Sequence, residues 1–291
     1  MSGSCGPEPV ERDSRGILSP ALLRQRVRLT RYPAGAALDG LVDRFWAVCW
    51  DLPDGLVHSQ QVLTHPCANL TIGNANAVPG QRRAGSVEAR LNGVARQVTT
   101  RVLTGQGWTV AAMTRPGGLG AFVTGSAAEF TDCVVPLGDA VSVDEAALMA
   151  EVTNEPQEAA RVSILAAALE NAVQPAKVEA ATQVTRVARI AETSRAIQQL
   201  DDLCAAAGIG PRTLQRMFLH YAGVSPTWVI RRYRLQEVAE AVRDGEPVSW
   251  AQVAASLGFA DQAHLIRAFK SATGQTPAAY ADSQRVPPGA S

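Results

Sequence analysis

"LQRMFLHYAGVSP" at residues 214–226 and "LIRAFKSATGQTP" at residues 265–277 share one pattern, 51 positions apart: Leu, three residues, Phe, four residues, Gly, two residues, Pro. Leu214 with Phe218, and Leu265 with Phe269, are spaced to lie on one face of a helix and anchor it to a core. Gly223 and Gly274 fall where a helix ends in a left-handed residue, and Pro226 and Pro277 suit the first turn of the next helix. Each copy predicts a helix, a stop and a new start.

Upstream of the copies stand "LDDLCAAAG" (200–208) and "WAQVAASLG" (250–258), both rich in small residues and both closing on glycine. The unit predicted is helix, tight turn, helix, present twice, with alanines at the crossing of each pair. Between the units, "PTWVIRRYRLQEVAEAVR" (226–243) is rich in helix formers. Trp228, Val229, Leu235, Val238, Ala239 and Val242 can form one apolar stripe on it, which reads as a connecting helix with its arginines on the surface.

The second helix of such a motif docks in the DNA major groove and reads it with side chains not spent on the core. In the first copy Leu214, Met217 and Phe218 face inward, leaving Arg212, Gln215 and Arg216 to point out. Arg bridges guanine O6 and N7, and Gln bridges adenine N6 and N7. In the second copy the outward set is Gln262, Ala263, His264 and Arg267, with Asp261 as N-cap. Arg231, Arg232, Arg234 and Lys270 are expected to contact phosphates, adding affinity without sequence information.

These stretches, with "RTLQRMF", "GVSPTWVIRRYRLQEV", "VAASLGFADQAHLIRAFK" and "GQTPAAY", make residues 200–280 resemble the C-terminal DNA-binding domain of the AraC/XylS family of bacterial transcription regulators. The resemblance implies seven helices and two recognition helices in successive major grooves on one face of double-stranded DNA. It also implies a separate N-terminal domain that senses a small-molecule effector or pairs two chains into a homodimer, with RNA polymerase as a further partner. Two departures stand out: Pro211 opens the first recognition helix, and Ala263 offers only a methyl group where a polar reader is common.

The bulk composition agrees with this. Of 291 residues, 46% are apolar and 19% charged, so two domains can each bury a core, with tails expected at 1–15 and 285–291. Net charge is zero, yet from Gln183 onward 12 Lys and Arg stand against 9 Asp and Glu, and residues 210–234 hold five arginines and no acid. A neutral protein can thus carry a basic face. No apolar run is long enough to span a bilayer, and five scattered cysteines (Cys5, Cys49, Cys67, Cys133, Cys204) without a Cys-x-x-Cys pair suit a reducing compartment. A cytoplasmic protein without membrane partners is expected.

Residues 27–135 read as short β-rich runs: "VRLTRYP", "FWAVCW", "QQVLTHPCANLTIG", "SVEARLNGVARQVTTRVLTG" and "WTVAAMTRPGG". Turn signals at Asn92-Gly93, Gly105 to Gly107 and Pro116 to Gly118 separate them, which predicts an antiparallel sandwich or barrel. Helices are expected from "SVDEAALMAEV", with Ser142 and Glu145 as a capping box, and over 156–171. The order resembles family members whose N-terminal part is cupin-like, and "YPAGAALDGLVDRFWAV", "LTHPCANLTI" and "TRPGGLGAF" are similar to an uncharacterised domain that precedes such DNA-binding regions.

The expectation is therefore an α+β protein of two domains. A β-rich, cupin-like antiparallel barrel or sandwich spans 16–140, a helical connector 141–182, and an all-α domain with two helix-turn-helix motifs joined by a connecting helix 183–284. Trp46, Trp108 and Arg115 are the candidate effector-binding residues. His58, His65 and Cys67 lie close in sequence but lack the spacing of a metal site, and Cys67 has no basic neighbour to activate it, so no metal or cofactor is expected. A repair protein with the same module would need a four-cysteine zinc cluster, which this sequence lacks. No nucleophile, base and orienting residue assemble into a catalytic set, so no catalytic residue is expected. Two competing readings remain open at this point: a ligand-binding barrel or enzyme tethered to DNA, and an architectural protein indifferent to sequence.

Overall fold

A computed structural model describes residues 23, 25–63, 65–74, 86–243 and 249–285, apart from the side chains of 241–243 and 283–285. Cys5, the Val242 side chain and the two expected tails lie outside the described residues, except Arg285, which ends the last helix.

The first half is a pair of antiparallel sheets. The strands are β1 (Val27–Pro33), β2 (Val42–Asp51), β3 (Val57–Val62), β4 (Asn69–Asn74), β5 (Val87–Asn92), β6 (Thr99–Thr104), β7 (Gln106–Thr114) and β8 (Val134–Pro136). Six of them form one sheet in the order β1-β2-β7-β4-β5-β8, while β3 and β6 pair separately. The run expected at 60–73 is thus two strands in different sheets. Pro66, with no N–H to give a ladder, sits where the chain crosses between them.

Register decides what each face does. Phe45 lies opposite Ala112, Ala47 opposite Val110 and Cys49 opposite Trp108, whereas Trp46, Val48 and Trp50 lie opposite Ala111, Thr109 and Gly107. Alternation puts the first set on one face of the sheet and the second on the other. The first face is roofed by α1 (Glu145–Asn154) and α2 (Glu158–Ala172), whose Leu148, Val152, Val162, Leu165 and Leu169 share a core with Phe45, Leu70, Ile72, Leu91 and Val110. Glu158 pins α2 to the sheet, accepting from Arg28 at 3.0 Å and from the Tyr32 hydroxyl at 2.8 Å. The second face looks inward at the β3–β6 pair, where Leu103 of β6 packs with Val27, Trp50 and Leu52.

The start of α1 differs from the expected capping box. Asp144, not Ser142, is the N-cap, its carboxylate accepting from the Ala147 N–H at 3.0 Å, and Glu145 instead accepts from the Gly138 N–H. An Asp one residue before the helix satisfies the free amides more directly than a Ser three residues before Glu145.

Seven helices follow: α3 (Pro175–Thr193), α4 (Leu200–Ala207), α5 (Pro211–Ala222), α6 (Pro226–Arg243), α7 (Trp250–Ser256), α8 (Gln262–Thr273) and α9 (Pro277–Arg285). The boundary expected at 182/183 falls inside α3, a continuous helix. Over much of its length it docks on the β domain, with Lys177 donating to the carbonyls of Val123 and Thr124 and Thr185 to that of Pro116. Its second half supplies Val184, Val187, Ala188 and Ala191 to the core around α4 and α5. A separate core of Leu235, Val238, Leu257, Leu265, Phe269 and Tyr280 holds α7 to α9.

Candidate nucleic-acid interface

The repeat folds as its punctuation demands. In the first unit α4 ends at Gly208 (φ 66°), and Pro211 opens α5 at its first position. In the second, Gly258 (φ 73°) ends the tight turn and the Asp261 carboxylate caps α8 through the His264 N–H at 2.6 Å. Each second helix is 12 residues long and stops at a left-handed glycine, Gly223 (φ 78°) or Gly274 (φ 80°). Leu214 and Phe218, and Leu265 and Phe269, are wholly buried at equivalent places.

The outward faces correspond at Arg216 and Arg267. Arg212, Gln215 and Arg216 are exposed on α5, with Met217 half-buried against the core. Leu219, three residues beyond Arg216, continues the stripe and is 45% exposed, large for an apolar side chain. Its place in the 51-residue register is that of exposed Lys270. On α8, Gln262, Ala263, Arg267 and Lys270 are exposed. His264 is half-buried, its ring set edge-on to Phe259 at 5.4 Å between centroids. Arg212, Arg216, Arg231, Arg267 and Lys270 make no ion pair among the described residues, so their charges face solvent.

Two of the expected phosphate contacts are corrected by burial. Arg232 and Arg234 are each 2% exposed and point into the protein. Arg232 donates to the Arg96 carbonyl and lies over the Trp228 ring at 4.7 Å. Arg234 pairs with Glu237 and donates to the carbonyls of Ala191 (2.7 Å), Ser194 (2.8 Å) and Ile197 (3.2 Å). The connecting helix is therefore not a one-sided amphipathic helix. Val229, Ile230 and Tyr233 serve the first unit's core and Leu235, Val238 and Ala239 the second's, which buries α6 nearly all round. Of that arginine cluster, Arg231 alone stays exposed.

The three residues proposed to meet an effector do not come together. Trp46 is on the inward face of β2, its indole N–H donating to Asn69 Oδ1 at 3.0 Å. Trp108 is on the opposite face, under the Arg161 guanidinium of α2 at 3.8 Å. Arg115 is already committed, donating to Asp39 and to Asp43 Oδ1. The inward face instead gathers Asn69, Thr71, Asn92 and, from β3 and β6, His58, Gln60 and Arg101. Asn92 donates to Thr71 and accepts from Arg101 at 3.0 Å. Burial lowers the Arg101 guanidinium from its ordinary value. His58 is fully buried, and neither ring nitrogen makes a hydrogen bond of normal geometry among the described residues; burial, then Arg26, pushes its pKa down against the opposing pull of neighbouring Gln60. Cys67 is buried, and burial raises its thiol well above the usual range, which works against a reactive thiolate. Among the described residues no group of three or more His, Cys, Asp or Glu is placed to hold a metal.

A helix-turn-helix domain model matches residues 203–283. The C-terminal region is an AraC-type helix-turn-helix domain. Residues 203–283 accordingly carry the DNA-binding fold found in AraC-type transcription regulators. A second model, a domain of unknown function (DUF6597), matches residues 30–136 and so takes in the strand-bearing part. Comparison with curated proteins returns no match. Among solved structures, the chain is similar to the C-terminal domain of AraT, a response regulator from Geobacillus stearothermophilus (20% identity, 38% of this chain and 91% of that one, TM-score 0.33). It is also similar to ToxT from Vibrio cholerae O395 (14% identity, 83% and 98%, TM-score 0.36) and to ToxT with an unsaturated fatty acid bound (12%, 81% and 94%, TM-score 0.37). At TM-scores below 0.5 these likenesses add nothing to the domain matches. No helix among the described residues is long and apolar enough to cross a membrane.

Proposed function

We propose that this AraC-type regulator reads a specific DNA sequence in the cytoplasm through α5 and α8, laid in neighbouring major grooves of one duplex. Arg212, Gln215 and Arg216 read base edges from α5, and Gln262, His264 and Arg267 from α8. Arg231 and Lys270 hold phosphates. The observation that carries this is the shared register of the two helices: each spends its Leu and Phe inward and turns an exposed arginine, Arg216 or Arg267, outward from the equivalent position. The α8 face, with Ala263 and the tethered His264, contributes less base discrimination than the α5 face.

Binding selection from a randomised duplex pool tests the assignment. Arg216→Ala flattens preference at one base pair, by about 1–3 kcal/mol, whereas Lys270→Ala weakens all duplexes alike and lowers the salt slope by about one. Equal affinity of the unaltered chain for selected and random DNA would contradict it.

The β domain modulates this binding through a small molecule held on its inward face. Support comes from His58, whose ring is buried without a hydrogen-bond partner among the described residues, and from Arg101, a half-buried cation whose bond to Asn92 is to a neutral group.

A further inference from the structure

We infer that the β5–β6 turn, residues 93–98, is a positioning element for DNA reading: it grips both helix-turn-helix units and holds their recognition helices at one spacing. The inference rests on the two-helix reading above. Val94, 3% exposed, lies in the first unit's core beside Leu203, Leu214 and Phe218. Val98 packs on the second unit's core, and its N–H donates to the Ala272 carbonyl at 3.1 Å. Between them, the Arg96 carbonyl accepts from Arg232 of α6. A few consecutive residues thus touch the first unit, the connecting helix and the second unit in turn. The cores of the two units share no residue, and besides this brace they are related by α6 and by the contact of Gln198 with Gly258.

The brace is stiff. The Arg96 backbone N–H and Nε donate to the Asp132 carboxylate at 2.7 and 2.6 Å, while the Asp132 N–H donates to the Val94 carbonyl and the Gly93 N–H to the Cys133 carbonyl, both at 3.0 Å. A Cβ on Gly93 would lie 1.7 Å from the Phe130 carbonyl oxygen, so the two segments meet backbone to backbone. The same platform continues under the end of α5, where Thr131 donates to the Gly223 carbonyl at 2.7 Å and Ser126 to that of Leu219 at 3.3 Å. Burial pushes the Arg232 guanidinium down to about 10 against the opposing pull of Asp132, so the tie is kept at an electrostatic cost. Two helices in successive grooves need such a brace, because one added base pair turns the second site by about 35°.

The test uses the full chain and the duplex it selects, that duplex with one base pair inserted between its two half-sites, and a duplex with one half-site. Asp132→Gly removes the acceptor of Arg96 at a position (φ 60°) where glycine is unstrained, and Arg232→Met cuts the tie to α6 while keeping the apolar stem. The unaltered chain should lose at least about tenfold in affinity on the insertion. Both variants should bind the selected duplex at least about threefold more weakly, lose less than about threefold more on the insertion, and keep single-half-site affinity within about twofold. Variants that keep the full insertion penalty, or that weaken equally on all three duplexes, overturn the inference. An unaltered chain that selects a sequence but is indifferent to the insertion sinks the two-helix reading itself, a separate and prior failure.

Discussion

Arg234 on the connecting helix donates to the Ala191 carbonyl at 2.7 Å, so a guanidinium three positions from exposed Arg231 caps the end of α3 and never reaches solvent. Its further bonds go to the carbonyls of Ser194 and Ile197, in the loop that joins α3 to α4. Neighbouring arginines therefore have opposite assignments. Removing one end of this buried arrangement by Arg234→Ala should cost about 3–5 kcal/mol in urea unfolding. Arg231→Ala should change stability by less than about 0.5 kcal/mol and instead weaken DNA binding with a shallower salt dependence. Similar stability losses for both would refute the distinction.

The two helix-stop glycines share a backbone conformation but not surroundings. A Cβ at Gly274 meets nothing within 4 Å, whereas one at Gly223 would sit 2.8 Å from both the Ala127 carbonyl oxygen and Thr131 Oγ1. Gly274→Ala should cost about 1–2 kcal/mol from the left-handed backbone alone. Gly223→Ala adds a clash with the β domain and should cost distinctly more, with chemical denaturation as the check.

His58 gives the fold a pH dependence of defined sign. Its folded pKa lies below the unfolded value of about 6.5, so the unfolded chain takes up the proton first. Stability is complete above that value and falls as pH drops toward the folded pKa. Urea midpoints from pH 8 to pH 5 should decline less in His58→Gln than in the unaltered chain. Parallel declines would show that His58 is not the group responsible.

Much of the C-terminal half was legible because its signals are local. Leu and Phe four apart, a glycine that must take positive φ and a proline that must start a helix each depend on a few adjacent residues, and they placed α6 at Pro226–Arg243. What the sequence concealed depends on partners far along the chain. Arg232 and Arg234 look like surface charge until Arg96 and the end of α3 arrive to receive them. Trp46 and Trp108 look like neighbours until the β2–β7 register sends them to opposite faces. Leu219 is not singled out in the sequence, and its exposure follows from a helix face shared with Arg212 and Arg216.

Hydroxyl-radical footprinting of the full chain on its selected duplex tests the central claim most directly. Two protected windows on one face of the duplex, about one helical turn or 10 base pairs apart, are expected, the stronger one losing definition in Arg216→Ala. A single window, or uniform protection without fixed boundaries, would contradict the account.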